Sequence, residues 1–420
     1  MKLSRFGKKF TSHAGIISLM DDLGNALAKG DNMIMMGGGN PGSIPEVETV
    51  VQARMKQIAE DAQLVRRVTG IYDPPQGELE FIEHLVNYLN ARYDWGLTDK
   101  NIALTNGSQS AFFILFNMFA GEHEDGSTKR IMFPLAPEYI GYADSGLSDD
   151  FFVTNKPSIE LIDDYLFKYH VDFESLDIDQ NVAAICVSRP TNPTGNVLTD
   201  NEITHLDNLA KQHNIPLIID GAYGTPFPQL IFSSAQPIWN QNTIFCLSLS
   251  KLGLPAARTG IVIANEQVVR AVSSVNAIIN LATGSFGSML GSELIRTGQI
   301  DQLCADHVKP FYQGKAERAV KQLAQELNGY SFRIHKPEGA MFLWLWLEGL
   351  SISSRSLYER LKKRGVLVVS GDYFFPGLAD PSWPHQYECL RITYSQDEDM
   401  VSRGLSIIAD EVKKVFDTVT

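Results

Sequence analysis

Cysteine is scarce in this sequence: four among 420 residues (Cys186, Cys246, Cys304 and Cys389), far apart, with no CxxC pair and no histidine set at zinc spacing. That argues against a disulfide framework and a structural zinc site, and it fits a reducing compartment. The nine histidines are scattered. His205, His213 and His307 fall in expected surface helices, so no metal site is expected. Positive charge is also short. Thirty-six Lys and Arg against 49 Asp and Glu leave a net charge of −13, the opposite balance to that of a nucleic-acid or anionic-membrane binder. Long apolar runs are missing too: the longest, 111–120, is too short to span a bilayer and is interrupted by Asn117. Near the N-terminus the apolar run AGIISLM is short and ends on Asp21 and Asp22. Without a longer run and a small-residue cleavage site it is not expected to act as a signal peptide, and a cytoplasmic location is expected. Finally, no period of 20–50 residues repeats, and no Gly/Ser- or Pro-rich linker divides the chain.

What is present has globular proportions: 44% apolar, 20% charged and 10% aromatic residues, in a length that suits two or three domains. Between residues 100 and 265 short apolar runs alternate with helical patterns. The runs at 101–105 (NIALT), 130–133 (RIMF), 182–188 (VAAICVS), 216–220 (PLIID), 243–247 (TIFCL) and 260–264 (GIVIA) read as buried strands. Near-continuous apolar strands separated by helices predict an α/β domain: a mostly parallel sheet sandwiched by helices. The C-terminal third changes rhythm. A helical pattern over roughly 300–327 leads to the strand-like FRIHKP and AMFLWLWL, then a helix, the runs VLVVS and CLRITYS, and a closing amphipathic helix. This reads as a smaller α+β domain. The expected division is 46–300 for the large domain, with 1–45 and 301–420 forming the N-terminal segment and the small domain.

In a parallel sheet ligands sit beyond the carboxyl ends of the strands, so the residues just past each strand matter most. NIALT is followed by Asn106-Gly107-Ser108-Gln109-Ser110 and then a helix. Such a turn offers free backbone N–H groups to an anion, although alone it is equally an ordinary N-cap. VAAICVS runs into Arg189-Pro190-Thr191-Asn192-Pro193-Thr194-Gly195, a stiff turn with Asn192 at its tip. PLIID ends on Asp220, with Tyr223 three residues on. A buried acid of this kind needs a cationic partner, and a ribose-binding acid is the competing reading. TIFCL precedes Ser248, Ser250, Lys251 and Arg258. A lone loop lysine is normally just exposed. One flanked by a serine and an arginine suited to phosphate fits a Schiff-base lysine instead.

Taken together, these groups meet the needs of pyridoxal phosphate. Lys251 is placed to hold the aldehyde and Asp220 to keep the pyridine nitrogen protonated. Tyr223 and Asn192 serve the phenolic oxygen, and Gly107, Ser108, Ser248 and Arg258 cradle the phosphate. One decoy is set aside. The run 37–42 satisfies G-x-G-x-x-G, but Pro41 and Pro45 argue against the immediate helix that a dinucleotide fold requires.

The motifs Asn192-Pro193-Thr194-Gly195, Asp220-Gly221-Ala222-Tyr223 and Ser248-x-Ser250-Lys251-x6-Arg258, in this order and 28 and 31 residues apart, resemble those of class I/II aminotransferases of the fold-type I pyridoxal-phosphate family. The segments MGGGNP, LTNGSQSAFF, FPLAPEYIGYAD, VSRPTNPTGNV, SLSKLGLP, HKPEGA and FFPGL extend the resemblance along almost the whole chain, toward members that use valine and pyruvate. The resemblance implies further roles. Tyr139 would stack on the cofactor ring, and Gln109 would join Ser108 in the cradle. Arg391 would grip the substrate carboxylate, with Asn192 and Gly38 beside it. Tyr72 would reach the cofactor phosphate of a partner subunit, which implies a homodimer.

The implied reaction is transamination of amino-acid and 2-oxo-acid substrates. No arginine occurs between Arg270 and Arg296, and the stretch SVNAIINLATGSFGSMLGS is small and apolar. That leans toward an aliphatic side chain such as valine or alanine, with pyruvate as acceptor. The alternatives are aromatic or broad-range transamination, C–S β-elimination on the same fold, and a non-enzymatic sensor. The last would need a DNA-binding domain, for which residues 1–45 are too short.

Overall fold

The computed structural model describes residues 2–11, 17, 24 and 33–418. All of the run 14–20 except Ile17 lies outside the described residues. Two main sheets carry the architecture. The larger has eight strands: Ile102–Asn106, Thr259–Ile263, Thr243–Ser248, Leu217–Asp220, Val182–Ser188, Thr128–Phe133 and Gly121–Glu122 in spatial order, with Phe152–Thr154 alongside Thr128–Phe133. Five of these strands, from Thr243–Ser248 through Thr128–Phe133 to Phe152–Thr154, pair in parallel. Thr259–Ile263 runs antiparallel to both of its neighbours, so the sheet is mixed. Each of the six expected strands is present within two residues of its expected bounds. Their β-branched and apolar residues are buried on both faces, which is why no alternation shows in the sequence.

Register places the chemistry. Ser188 pairs with Asp220 and Asp220 with Cys246, so three adjacent parallel strands end at one level. Behind that edge lies the buried helix Ser108–Phe119. Phe112 and Phe116 of this helix pack with Phe133 and Tyr142 at ring-centroid distances of 4.9–6.3 Å. Wholly buried rings such as these contribute about 1.5–3 kcal/mol each by leaving water, and they fix the floor on which Tyr142 stands.

The second sheet has six strands in the order Val369–Ser370, Cys389–Thr393, Phe342–Trp346, Arg333–His335, Leu166–His170 and Ser158–Leu161. Its last two strands come from the middle of the chain, inside the span expected for the large domain. They form an antiparallel hairpin that joins the C-terminal strands through the parallel pair Arg333–His335 and Leu166–His170. A third, two-stranded sheet pairs Ile34–Met35 with Val366–Leu367. It ties the N-terminal segment to the C-terminal third and carries the glycines at 37–39 toward the carboxyl edge of the large sheet. The next helix begins at Pro45, with proline in its first position. Among the described residues no helix is long and apolar enough to cross a membrane.

Candidate active site

The aligned strand ends open onto a cleft of about 570 Å³. Asp220 closes one side. Its Oδ1 accepts a 2.9 Å hydrogen bond from the backbone N–H of Ala222, and its Oδ2 accepts one from the Tyr142 hydroxyl. Burial pushes the Asp220 carboxyl above the usual carboxylate range; these two donors oppose the rise, and so does the positive charge of Lys251. Beneath it lies a second acid, Glu138, which is fully buried. Glu138 accepts from the Ser188 N–H at 2.9 Å, the Ser188 hydroxyl at 2.7 Å and the Tyr139 N–H at 3.1 Å. Burial lifts its carboxyl to about 7 against the pull of Ser188.

Lys251 stands in the 3₁₀ turn Ser250–Leu252, directly after the strand Thr243–Ser248 and Leu249. Its Nζ donates to the Gly39 carbonyl at 2.7 Å and lies 5.2 Å from the centroid of the Tyr223 ring. Burial lowers its ammonium to about 8; the positive charges of Arg391 and Arg258 push the same way, and Asp220 pulls back. An amine with this lowered basicity beside a carboxylate is equipped to attack a carbonyl and to carry a proton. Tyr223 is buried against Phe342, and burial raises its phenol well above the ordinary value.

The opposite end of the cleft is built for an anion. Gly107 is the N-cap of Ser108–Phe119, with φ +86° and no side chain capping the helix. The first N–H groups of that helix and its positive dipole end therefore face outward. A Cβ on Gly107 would lie 2.0 Å from Arg258 Nη2, so only glycine lets the guanidinium cover this helix end. Arg258 itself takes a left-handed conformation (φ +49°) just before its strand. Ser108, Gln109, Ser248 and Ser250 line the same end. The Ser248 hydroxyl accepts from the Ser250 N–H at 3.0 Å and donates to the Thr259 carbonyl at 3.4 Å, while Gln109 Nε2 holds the Gly141 carbonyl at 2.7 Å. Tyr139 forms a wall, edge-on to Tyr142 at 5.2 Å; Gly141 leaves it room, since a Cβ there would meet the Tyr139 ring at 2.3 Å.

A second anion seat comes from the second sheet. Arg391, in the strand Cys389–Thr393, is only 3% exposed. Its Nη1 donates to Asn192 Oδ1 at 2.8 Å, its Nη2 donates to the Gly37 carbonyl at 2.6 Å, and its guanidinium lies 4.3 Å over the Phe342 ring. Its buried Nε has no partner among the described residues. Burial brings Arg391 down to about 10. Gly38 lines the cleft beside it with open space where a Cβ would be.

All the residues singled out in the sequence converge here except Tyr72, which is 82% exposed and lies outside the cleft of its own chain. The stretch 274–292 does not line the cleft either. Sequence reasoning misses Tyr142, Glu138 and Ser250. Ser250 precedes Lys251 directly and so carries a local signal. Tyr142 acts on an acid 78 residues away, and nothing local marks it.

Residues 38–408 match the family described as aminotransferase class I and II. The chain is 49% identical over 416 residues to the valine–pyruvate aminotransferase of Escherichia coli K12, spanning 99% of each chain. Among solved structures it is similar to a putative amino-acid aminotransferase from Psychrobacter arcticum (47% identity, TM-score 0.96, 99% of both chains). It is likewise similar to valine–pyruvate aminotransferase from Salmonella typhimurium LT2, at 48% identity and a TM-score of 0.88 over 96% of this chain and 100% of that one. With the family matched over most of its length, and with relatives this similar end to end, the chain belongs to the class I and II aminotransferases.

Proposed function

We propose that this chain is a pyridoxal-phosphate-dependent aminotransferase that exchanges an amino group between valine and pyruvate, giving 3-methyl-2-oxobutanoate and alanine. The observation that carries the reading is the convergence of Lys251, Asp220, Asn192, Tyr223, Arg258 and Arg391, from separate segments, on one cleft. Pyridoxal phosphate fits this donor set. The uncapped helix end with Gly107 and Arg258 suits its phosphate, and the Asp220–Tyr142 pair suits its ring nitrogen. The Tyr139 wall suits its ring face. The orphaned Nε of Arg391 awaits a carboxylate, to which a guanidinium fork binds in two-point fashion.

When bound, the cofactor supplies an aldehyde for amine exchange and a ring that accepts the electron pair left as the substrate α-proton departs. The chain does the rest. Lys251 Nζ would hold the aldehyde at rest; once freed by amine exchange, it would take the proton from the substrate Cα and deliver it to the former aldehyde carbon, the net shift that transamination requires. Asp220 would keep a proton on the ring nitrogen, and Tyr142, by donating to Oδ2, favours the ionised form of Asp220. Tyr223 and Asn192 hydrogen-bond the phenolic oxygen, and Ser108, Gln109, Ser248 and Arg258 hold the phosphate. Arg391, Asn192 and Gly38 orient the substrate carboxylate.

The exposed apolar side chains Ile71, Tyr72, Ile278, Ile279, Leu281 and Phe286 support a homodimer. Hydrogen bonds from Asn276 to Pro75, Ser285 to Asp73 and Gly284 to Asn106 gather this surface beside Gly107. Tyr72 then serves the neighbouring site, and the exposed part of the stretch 274–292, which does not line the cleft of its own chain, would favour an aliphatic side chain there. Residues 46–300 form the large domain; 1–45 and 301–420 form the remainder, with the hairpin 158–170 riding on the second sheet. A panel of amino donors with pyruvate as acceptor tests the assignment. Valine should lead in kcat/KM, with a margin over near homologues of about 10–200-fold at most, because a methylene is worth only about 1–3 kcal/mol. Aspartate or phenylalanine outpacing valine by a wide margin would overturn it.

A further inference from the structure

Outside the cleft, one buried ion pair touches the machinery from behind. Lys168, in the hairpin strand Leu166–His170, and Glu338, in the loop before Phe342–Trp346, are each 6% exposed. The Lys168 ammonium has three N–H donors and meets three acceptors: Asn196 Oδ1 at 2.8 Å, the Val197 carbonyl at 2.9 Å and Glu338 Oε2. Glu338 Oε2 also accepts from the Val197 N–H at 3.1 Å.

Both acceptor segments lead to the carboxylate seat. Asn196 closes the turn that carries Asn192: its carbonyl accepts from the Thr191 N–H at 2.9 Å, and the Gly195 N–H donates to the Thr191 carbonyl at 2.8 Å. The Glu338 loop interlocks with that turn. A Cβ on Gly195 would lie 2.5 Å from the Gly339 carbonyl oxygen, and one on Gly339 would lie 2.5 Å from Pro190. The same loop runs into the strand in which Trp344 pairs with Arg391 and Phe342 lies under its guanidinium. Asn192 and Arg391, bonded to each other, are therefore each one short segment away from the same ion pair.

We infer that Lys168 and Glu338 are positioning residues that hold the Asn192 turn and the Arg391 strand in register, so that the substrate carboxylate meets a preformed grip. The inference rests on the proposed role of Arg391 as that grip. Neither residue lines the cleft, so the effect should fall on carboxylate binding and spare the proton transfer at Lys251.

The test uses the cofactor-loaded enzyme and the variants Glu338→Gln, Lys168→Met and the pair combined. Two constants are read: KM for valine, and the inhibition constant of 3-methylbutanoate, which has valine's side chain and carboxylate but no amine. Each single variant should raise both about tenfold, the loss expected when one hydrogen bond of a charged grip is misaligned. kcat should fall less than KM rises, cofactor affinity should stay within about twofold of wild type, and the double variant should be no worse than the poorer single. Glu338→Asp, which keeps the charge, serves if Glu338→Gln does not fold, and should give a smaller rise in the same constants. Arg391→Lys is the control. If it fails to raise the two constants, the carboxylate-grip reading itself is wrong. If it raises them while folded variants of the pair leave them within twofold of wild type, or lose kcat and cofactor affinity in step, the positioning role is overturned.

Discussion

The depressed basicity of Lys251 makes a quantitative prediction. Its ordinary value is 10.5 and its value in this cleft is about 8. Only the neutral amine attacks an aldehyde, and it is populated above the pKa. At pH 7.5 an ordinary lysine is roughly 0.1% neutral, whereas one titrating near 8 is about a quarter neutral, a gain of roughly 200-fold in reactive amine. Capture of pyridoxal phosphate by the apoenzyme, read by stopped-flow visible absorbance with Lys251→Ala as the blank, should accelerate about tenfold per pH unit up to a bend near pH 8 and then level off. The causes can be separated by substitution. Burial is the largest, and Arg391 comes next in lowering the value. Arg391→Leu removes that nearby positive charge, so its bend should move to higher pH. Asp220 pulls the other way, so Asp220→Asn should move the bend lower. A wild-type rate still climbing tenfold per unit between pH 9 and 10 would refute the reasoning, as would a bend that neither substitution moves.

The same geometry yields three further outcomes. Tyr142→Phe removes a charge-assisted donor worth about 1.5–3 kcal/mol from a buried carboxylate; the Asp220 carboxyl, already raised by burial, should rise further. The acid limb of the kcat–pH profile should therefore shift upward, with kcat down by about tenfold or more at neutral pH and KM for valine little changed. Gly107→Ala places a methyl group where Arg258 Nη2 now lies, at a positive φ that costs about 1–2 kcal/mol for a side chain. Affinity for pyridoxal phosphate should fall by an order of magnitude or more in a spectroscopic titration, with affinity for pyridoxal, which lacks the phosphate, nearly unchanged. If Tyr72 serves the neighbouring site of a dimer, mixing and refolding Tyr72→Ala with Lys251→Ala should restore activity. One site in the hybrid then carries both native residues, and activity no higher than that of the separate variants would argue against a shared site.

The parts of this molecule that can be read from its sequence share one physical property: their signal is local. A buried parallel strand is a continuous apolar run, and the residues just beyond its last position must lie at the carboxyl edge of the sheet. Asn192, Asp220, Lys251 and Arg258 can therefore be placed near one another without knowledge of any contact. The antiparallel course of Thr259–Ile263 cannot, because GIVIA is equally apolar in either direction. The hairpin 158–170 is also hidden. Its strands SIEL and LFKYH are short and partly polar, and they find their sheet only by pairing with Arg333–His335, more than 160 residues on. Arg391 sits between these cases. A lone arginine in an apolar strand is ambiguous by itself, and it is the family resemblance that singles it out. Tyr142, Glu138, Lys168 and Glu338 belong to a different category altogether. Each meets its partners through the tertiary fold, and in a sequence each is an unremarked tyrosine, glutamate or lysine. The groups expected to touch cofactor and substrate are thus legible, while those that set their charge and orientation are not. A buried carboxylate such as Asp220 needs hydrogen-bond donors, because desolvation without them would leave it neutral. One of its two, the Ala222 N–H, is local, whereas the other, the Tyr142 hydroxyl, comes from 78 residues away and is found only through the fold.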